Sequence, residues 1–286
     1  PLKGAIIRAF YPEPWMRTSC DIDILVHKND LKKSVEAITE KLAYDCNAIG
    51  DHDIVLSSPV GVNVEIHYQL VTPDSKREEI PVFERIWNVA VKADPSHQSQ
   101  YQMTDEYFYC YHISHLAKHL KRGGCGIRTV LDTWILNHKV EHNPEKRERL
   151  LQEAGLANVA KAIEKLSEVW FSGAEADELS VALEEYILKG GVYGSFDNRV
   201  AAQKSKKSNK FVYLLSRLFL PYSEMKFKYP KLQKWPILYP FYIVKRMFLL
   251  VKKDTKRRAA REVSQTISGN DGKQARISQL FKKLDL

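Results

Sequence analysis

Three acidic residues stand out by type and spacing. Asp21 and Asp23 lie one residue apart in Cys-Asp-Ile-Asp-Ile-Leu-Val at 20–26, and Glu65 lies in Val-Glu-Ile-His-Tyr at 64–68. In an extended strand alternate side chains share a face. Asp21 and Asp23 should therefore project together while Ile22, Ile24 and Val26 turn toward a core. The same alternation sets Val64, Ile66, Tyr68 and Leu70 against Glu65, His67 and Gln69. Clustered carboxylates repel one another unless a cation neutralises them. All-oxygen donors suit Mg²⁺, which usually takes one or two carboxylates plus substrate phosphates. Paired ions about 3.5–4 Å apart support in-line phosphoryl displacement. An Asp-x-Asp on a solvated edge strand would have the same spelling and no chemistry.

The elements that must hold these acids can be read from periodicity. Residues 20–26 predict a strand. Asn29 or Asp30 caps a helix whose Leu31, Val35, Ile38 and Leu42 recur at helical spacing. Residues 53–58 and 62–70 predict two strands joined by a turn at Pro59-Val60-Gly61. The first 95 residues are thus mixed α/β. Beyond Asp94-Pro95 the pattern is helical: a helix from 104 to the Gly123-Gly124 stop, another over 128–138, and one opening at Asn143-Pro144 and carrying Leu150, Leu151 and Ala154. Val159, Ile163 and Leu166 continue it beyond Gly155, and a further helix spans 175–188.

Within the helical part, His112, His115 and His119 form one stripe. The 115–119 spacing suits a zinc pair, but no Glu follows His115 as the zinc-protease motif requires. Packing between domains and contact with a ligand both remain open for this stripe. Lys118, Lys121 and Arg122 flank it, followed by Gly123-Gly124-Cys125-Gly126. That loop reads either as a phosphate cradle or as a plain helix C-terminus. Arg128 and Asp132, four apart, have the spacing of a helical ion pair.

Composition bounds the remaining classes. The 286 residues carry 44 Lys+Arg and 35 Asp+Glu, a net charge of +9, with 44% hydrophobic residues. This excludes the disordered class and allows one large or two modest domains. The charge is unevenly placed. Residues 204–286 hold 21 basic and 5 acidic residues, a net of +16, and residues 1–203 have a net of −7. This tail, with a Lys/Ser linker at 204–210 and a basic stretch at 252–261, has three readings. It grips nucleic acid by phosphate contacts and stacking, lies on an anionic membrane with Phe241, Tyr242, Met247, Phe248 and Leu249 dipping in, or packs on the acidic body. The apolar stretch 235–251 is interrupted by Pro236, Pro240, Lys245 and Arg246, which argues against a spanning helix of about 20 residues. Cys20, Cys46, Cys110 and Cys125 form no C-x-x-C pair and read as reduced thiols, without a disulfide framework or zinc site.

Taken together, Leu-Lys-Gly at 2–4, Arg-x-x-x-Asp-Ile-Asp-Ile-Leu-Val at 17–26, Val-Glu-Ile-His-Tyr at 64–68, His-x-x-x-His at 115–119 and Ile-Arg-x-x-x-Asp at 127–132 form a pattern. In these pieces the chain resembles the uncharacterised nucleotidyltransferase family of bacterial proteins, within the DNA polymerase beta-like nucleotidyltransferase superfamily. A weaker likeness runs through 190–193 and 229–242. The resemblance implies an α+β fold, a polymerase beta-like mixed sheet with helices, followed by a helical domain and a basic helical tail. The expected divisions are 1–97, with a natural N-terminus expected upstream of Pro1, then 98–203 and 204–286.

The resemblance also implies roles. Asp21, Asp23 and Glu65 would be catalytic and would hold Mg²⁺, with Mn²⁺ the alternative, and Glu65 would help activate the acceptor. Lys3 and Gly4 would meet the triphosphate, where a lysine charge and open backbone amides favour phosphate. Gly4-Ala5 stands where the superfamily has Gly-Ser or Gly-Gly, so a hydroxyl contact is missing. Arg17 would either pair with the acids or contact phosphate. His115, Lys118, His119 and Arg128 would line the nucleotide. The implied reaction passes an NMP from an NTP, ATP the first candidate, to a small molecule, protein or RNA end with loss of pyrophosphate. The rival is a non-catalytic nucleotidyltransferase-like scaffold whose tail engages nucleic acid, membrane or a protein partner. The expected setting is cytoplasmic, with the tail peripheral to the inner membrane face as a variant of it.

Overall fold

The alternating segments build a four-stranded mixed sheet: β1 (Asp21–Leu25), β2 (Asp45–Ile49), β3 (Asp53–Ser57) and β4 (Asn63–His67), in spatial order β1-β4-β3-β2. The computed structural model describes residues 1–72, 75–94, 96, 99–191, 194, 195, 198, 222, 225, 229, 231–250 and 271–286. β1 runs parallel to β4, with Ile22 opposite Val64, Asp23 opposite Glu65 and Leu25 opposite His67. β4 and β3 are antiparallel, joined by a turn in which Gly61 takes a φ of 84°. That left-handed value favours glycine.

One sheet face is apolar. Ile54, Leu56, Val64 and Ile66 form its buried core, and Leu31, Val35 and Ile38 of helix α2 (Leu31–Leu42) pack on it with Ile24 and Val26. (The short helix α1, Gly4–Ile7, precedes the sheet.) The opposite face holds the polar residues of β1 and β4. Two expectations are corrected here. Ile22 is 45% exposed rather than a core residue, because β1 is a sheet edge and the apolar cover lies over Ile24 and Val26. The strand β2 was not foreseen in Asp-Cys-Asn-Ala-Ile, whose residues are all exposed and show no apolar alternation.

The chain forms two compact units. The first comprises residues 1–118, 127–184 and 284–286, and the second 119–126 and 185–283. The first contains the sheet, short helices α3 (Glu79–Glu84) and α4 (Ile86–Val89), most of α5 (Asp105–Lys121), then α6 (Ile127–Lys139), α7 (Pro144–Glu153) and α8 (Ala157–Ser172), with most of α9 (Glu178–Gly190). Asn143 caps α7 by accepting from the Lys146 amide at 2.9 Å, with Pro144 in the first turn. Gly155, at φ 64°, separates α7 from α8 where the apolar periodicity alone reads as one helix. α6 packs on α8. Arg147, itself buried, lies 3.8 Å over the Tyr109 ring, a cation–π contact in a desolvated setting.

In the second unit the Gly123-Gly124 loop is a helix ending rather than an open cradle. The Gly124 amide returns to the His119 carbonyl at 3.1 Å, and a Cβ on Gly124 would fall 3.2 Å from the Gly190 Cα. Tyr186 donates to the Leu120 carbonyl at 2.8 Å and packs edge-on to Phe281. Helices α10 (Lys231–Lys234), α11 (Tyr239–Leu250) and α12 (Asp271–Leu284) are the further described helices. Met225, Leu232 and Tyr242 form a small buried cluster. The 204–210 linker and the 252–261 basic stretch lie outside the described residues. Among the described residues no helix is long and apolar enough to cross a membrane. The described Cys20 and Cys46 are exposed, Cys110 and Cys125 buried, and all four are free thiols.

Candidate active site

The parallel register of β1 on β4 sets Asp23 directly across from Glu65 on the polar sheet face. Asp23 is buried, with Lys3 Nζ and His67 Nε2 each 2.8 Å from its Oδ1. His67 Nε2 is also 3.5 Å from Glu65 Oε2. Ligand atoms of Asp23, Glu65 and His67 all lie within 4.8 Å of one another.

Lys3 reaches this point because the chain before β1 is tied to it. The Leu2 amide donates to the Asp23 carbonyl at 2.9 Å. Lys3 itself has φ 45° and ψ −118°, a sparsely populated conformation for a residue with a side chain. Such strain persists where the surroundings over-determine it, and here an ion pair with a buried carboxylate does so.

The charges support one another. Burial alone would push the Asp23 carboxyl up, but the His67 hydrogen bond and the Lys3 charge hold it down at about 2. Burial opposes the charge on His67, yet its bonds to Asp23 and Glu65 leave it raised above the ordinary imidazole range. Burial likewise opposes the charge on Lys3. Electrostatic interaction with Tyr111, then Asp23, outweighs it and raises the ammonium above its ordinary value. Tyr111, on α5, is fully enclosed, and burial pushes its phenol up to about 12.

The site therefore holds an ionised Asp23 already balanced by the Lys3 ammonium. Two facing carboxylates, one held ionised, fit a hard divalent ion of the Mg²⁺ or Mn²⁺ kind. Asp23 and Glu65 would be its ligands.

The other expected residues fall in different places. Asp21 is half-buried at the start of β1, and its Oδ1 accepts from Ser19 Oγ at 3.2 Å. It does not join the Asp23–Glu65–His67 group. Arg17 pairs with an acid, but a distant one. Its Nε and Nη2 lie 2.9 and 2.8 Å from Asp132 on α6, while Tyr11 donates to the same carboxylate at 2.7 Å. Both members of the ion pair are buried.

The Arg128–Asp132 pair expected from spacing is absent. Asp132 is claimed by Arg17 and Tyr11, and Arg128 instead donates to the Thr18 carbonyl at 2.8 Å. Gly4 is buried, and a Cβ there would lie 3.0 Å from Arg17 Nη1. The glycine thus lets the Lys3-Gly4 loop close on the Arg17 guanidinium.

Along α5, His115 is half-buried with its ring 6.4 Å from that of Tyr111, and Lys118 follows on the same helix. His119 belongs to the second unit. His112 of the same stripe is a core residue, bonded to Thr133 Oγ1 at 2.9 Å, and burial holds its imidazole down at about 4.

Two site residues were missed in the sequence, His67 and Tyr111. His67 had a usable signal, since it shares Glu65's strand parity. Tyr111 had none, because nothing local ties an aromatic on α5 to an acid on β1.

No curated protein and no solved structure matches the chain. A family profile does, over residues 1–171, and it is described as an uncharacterised nucleotidyltransferase. That span contains the sheet, the acid pair, Lys3, the Arg17–Asp132 strut and helices α5 to α7. It covers more than half of the sequence, and the chain belongs to this uncharacterised nucleotidyltransferase family.

Proposed function

We propose that the protein is a metal-dependent nucleotidyltransferase that moves an NMP from an NTP, ATP the first candidate, to an acceptor hydroxyl or similar nucleophile, releasing pyrophosphate. The observation that carries this reading is the facing pair Asp23–Glu65, in register on one sheet face beside Lys3, within the family-matched segment. Asp23 and Glu65 would hold Mg²⁺ or Mn²⁺, with Asp21 on the same strand as a further carboxylate. The ion would supply charge neutralisation at the phosphates and polarise the attacked phosphorus.

The chain's own residues do the rest. Asp23 stays ionised at any physiological pH. With a cation supplied at the carboxylates, Lys3 no longer has to balance Asp23, and its ammonium is free to meet the triphosphate. Gly4 and its backbone amides follow Lys3 in that loop, and Arg17 holds the loop from behind through Asp132. Glu65 would take a proton from the acceptor. Catalysis of this kind is mostly positioning and electrostatic stabilisation. His115, Lys118 and Arg128 are proposed as further nucleotide contacts.

One observation favours the non-catalytic alternative: the Lys3 ammonium already neutralises Asp23. The two readings separate on incubation of the protein with NTPs labelled at the α-phosphate, Mg²⁺ and host lysate. Label transferred to an acceptor by wild type and not by Asp23→Asn supports the enzyme. No transfer with any NTP or either metal leaves the scaffold reading. The experiment also reports the acceptor class, since small molecules, proteins and RNA separate readily.

A further inference from the structure

Beside the acid pair, the β3–β4 hairpin gathers a second donor set of different chemistry. Asp53 and His67 are directly opposed across the antiparallel pair. His52 precedes Asp53, and its Nε2 lies 3.4 Å from Asp53 Oδ2. One ligand atom from each of His52, Asp53 and His67 lies within 4.8 Å of the other two. None of the three is well exposed: the side chains are 15%, 17% and 5% accessible.

We propose that His52, Asp53 and His67 form a transition-metal site for Zn²⁺, separate in composition from the Asp23–Glu65 pair. Two imidazoles and one carboxylate leave one position open on a tetrahedral ion, and imidazole nitrogen suits Zn²⁺ where Mg²⁺ demands oxygen. The site does not depend on the nucleotidyl-transfer reading, although it borrows His67 from that face.

Three features beyond the cluster itself point the same way. Metal-binding histidines almost always have their second nitrogen held by a carboxylate or carbonyl, which fixes the tautomer. His52 Nδ1 is bonded to Asp51, and His67 Nε2 is bonded to Asp23. Each ring is thus held by a carboxylate outside the donor set, and in His52 the held nitrogen is Nδ1, which leaves Nε2 facing Asp53.

The loop carrying His52 is also fixed in place. Tyr68 donates its amide to the His52 carbonyl at 3.1 Å, Gln69 its side-chain amide to the Asp51 carbonyl at 3.0 Å, and Tyr68 its hydroxyl to the Gly50 carbonyl at 3.2 Å.

Finally, Gly50 makes room for the carboxylate. A Cβ at this position would fall 2.0 Å from Asp53 Oδ1. Glycine is required there by space, since the backbone φ is not positive.

The test titrates metal-free full-length protein with Co²⁺, reads the ligand-field absorption of a tetrahedral Co²⁺ centre, and competes it with Zn²⁺. Wild type should bind one Co²⁺ per chain at this site, displaced by Zn²⁺ and not by Mg²⁺. His52→Ala and Asp53→Asn should abolish the signal. Asp51→Asn, which leaves all three donors in place, should weaken binding about 10–100-fold. Gly50→Ala, whose methyl would meet the Asp53 carboxylate at 2.0 Å and its backbone carbonyl at 3.2 Å, should weaken it as well.

Absence of a tetrahedral Co²⁺ spectrum in wild type, or its survival in both His52→Ala and Asp53→Asn, overturns the proposal. In the first case His52 is simply a hydrogen-bond partner of Asp51 beside Asp53. Mg²⁺ affinity measured in the same variants tells failure of this site from failure of the acid pair.

Discussion

Replacing Asp132 with Asn is the sharpest perturbation of the frame that supports the site. The carboxylate accepts from Arg17 Nε at 2.9 Å, Arg17 Nη2 at 2.8 Å and the Tyr11 hydroxyl at 2.7 Å, and both charged side chains are under 10% exposed. Asparagine keeps the shape but removes the charge, and its NH₂ faces a donor where an acceptor stood. A buried guanidinium is then left without a counter-ion. Breaking one partner of such a pair costs about 3–5 kcal/mol, far above the roughly 0–1 kcal/mol of an exposed pair. Urea unfolding followed by circular dichroism should show this loss as a lower midpoint with unchanged slope. Because Arg17 Nη1 backs Gly4, the Lys3-Gly4 loop should also become more open to proteolysis. The triple replacement Arg17→Met, Tyr11→Phe, Asp132→Leu removes every polar member and should recover most of the stability. A loss below about 1 kcal/mol in Asp132→Asn, or a triple variant as unstable as the single one, would refute the buried-strut argument.

Other outcomes follow from the same contacts. His112 has a folded-state value near 4 against 6.5 for a free imidazole, so below pH 6.5 the unfolded chain binds the extra proton. Stability should fall from pH 6.5 to 4, by up to about 1.4 kcal/mol per pH unit, and His112→Gln should flatten that slope. Asp23 has the opposite charge type and a depressed value near 2, so its contribution is complete above pH 3.8 and disappears as pH drops through 2. Asp23→Asn should flatten that acid limb in a thermal melt series. Gly124 has φ 134° and packs its backbone on Gly190, so Gly124→Ala should destabilise the second unit by about 1–3 kcal/mol in hydrogen exchange. Gly4→Ala places a methyl against Arg17 and should weaken nucleotide binding more than it lowers the melting temperature.

The strands with one buried face were legible in the sequence because burial imposes alternation. Asp-Ile-Asp-Ile and Val-Glu-Ile-His could be assigned faces, and the parallel register then brought Asp23 to Glu65. β2 carried no such pattern because both of its faces meet solvent, so its pairing with β3 had no apolar signature. Ile22 illustrates the limit of parity. Alternation assigned it a face, but coverage of that face stops short of the strand's first residues.

Charge partners were less legible than faces. Local spacing offered Asp132 to Arg128, and the fold gave it to Arg17, 115 residues away in the chain. A buried acid goes to the donor that can surround it, and sequence distance does not enter that choice. The same holds for Lys3: its position beside a family-like Gly was readable, but its ion pair with Asp23 was not.

The central claim is that Asp23 and Glu65 hold a divalent ion on which nucleotide binding depends. Calorimetric titration of ATP into the full chain, with Mg²⁺ and with excess EDTA, tests it most directly. The account predicts ATP binding in Mg²⁺ that is lost in EDTA and lost in the Asp23→Asn, Glu65→Gln double variant. ATP binding of equal strength in EDTA, or retained by the double variant, would contradict it.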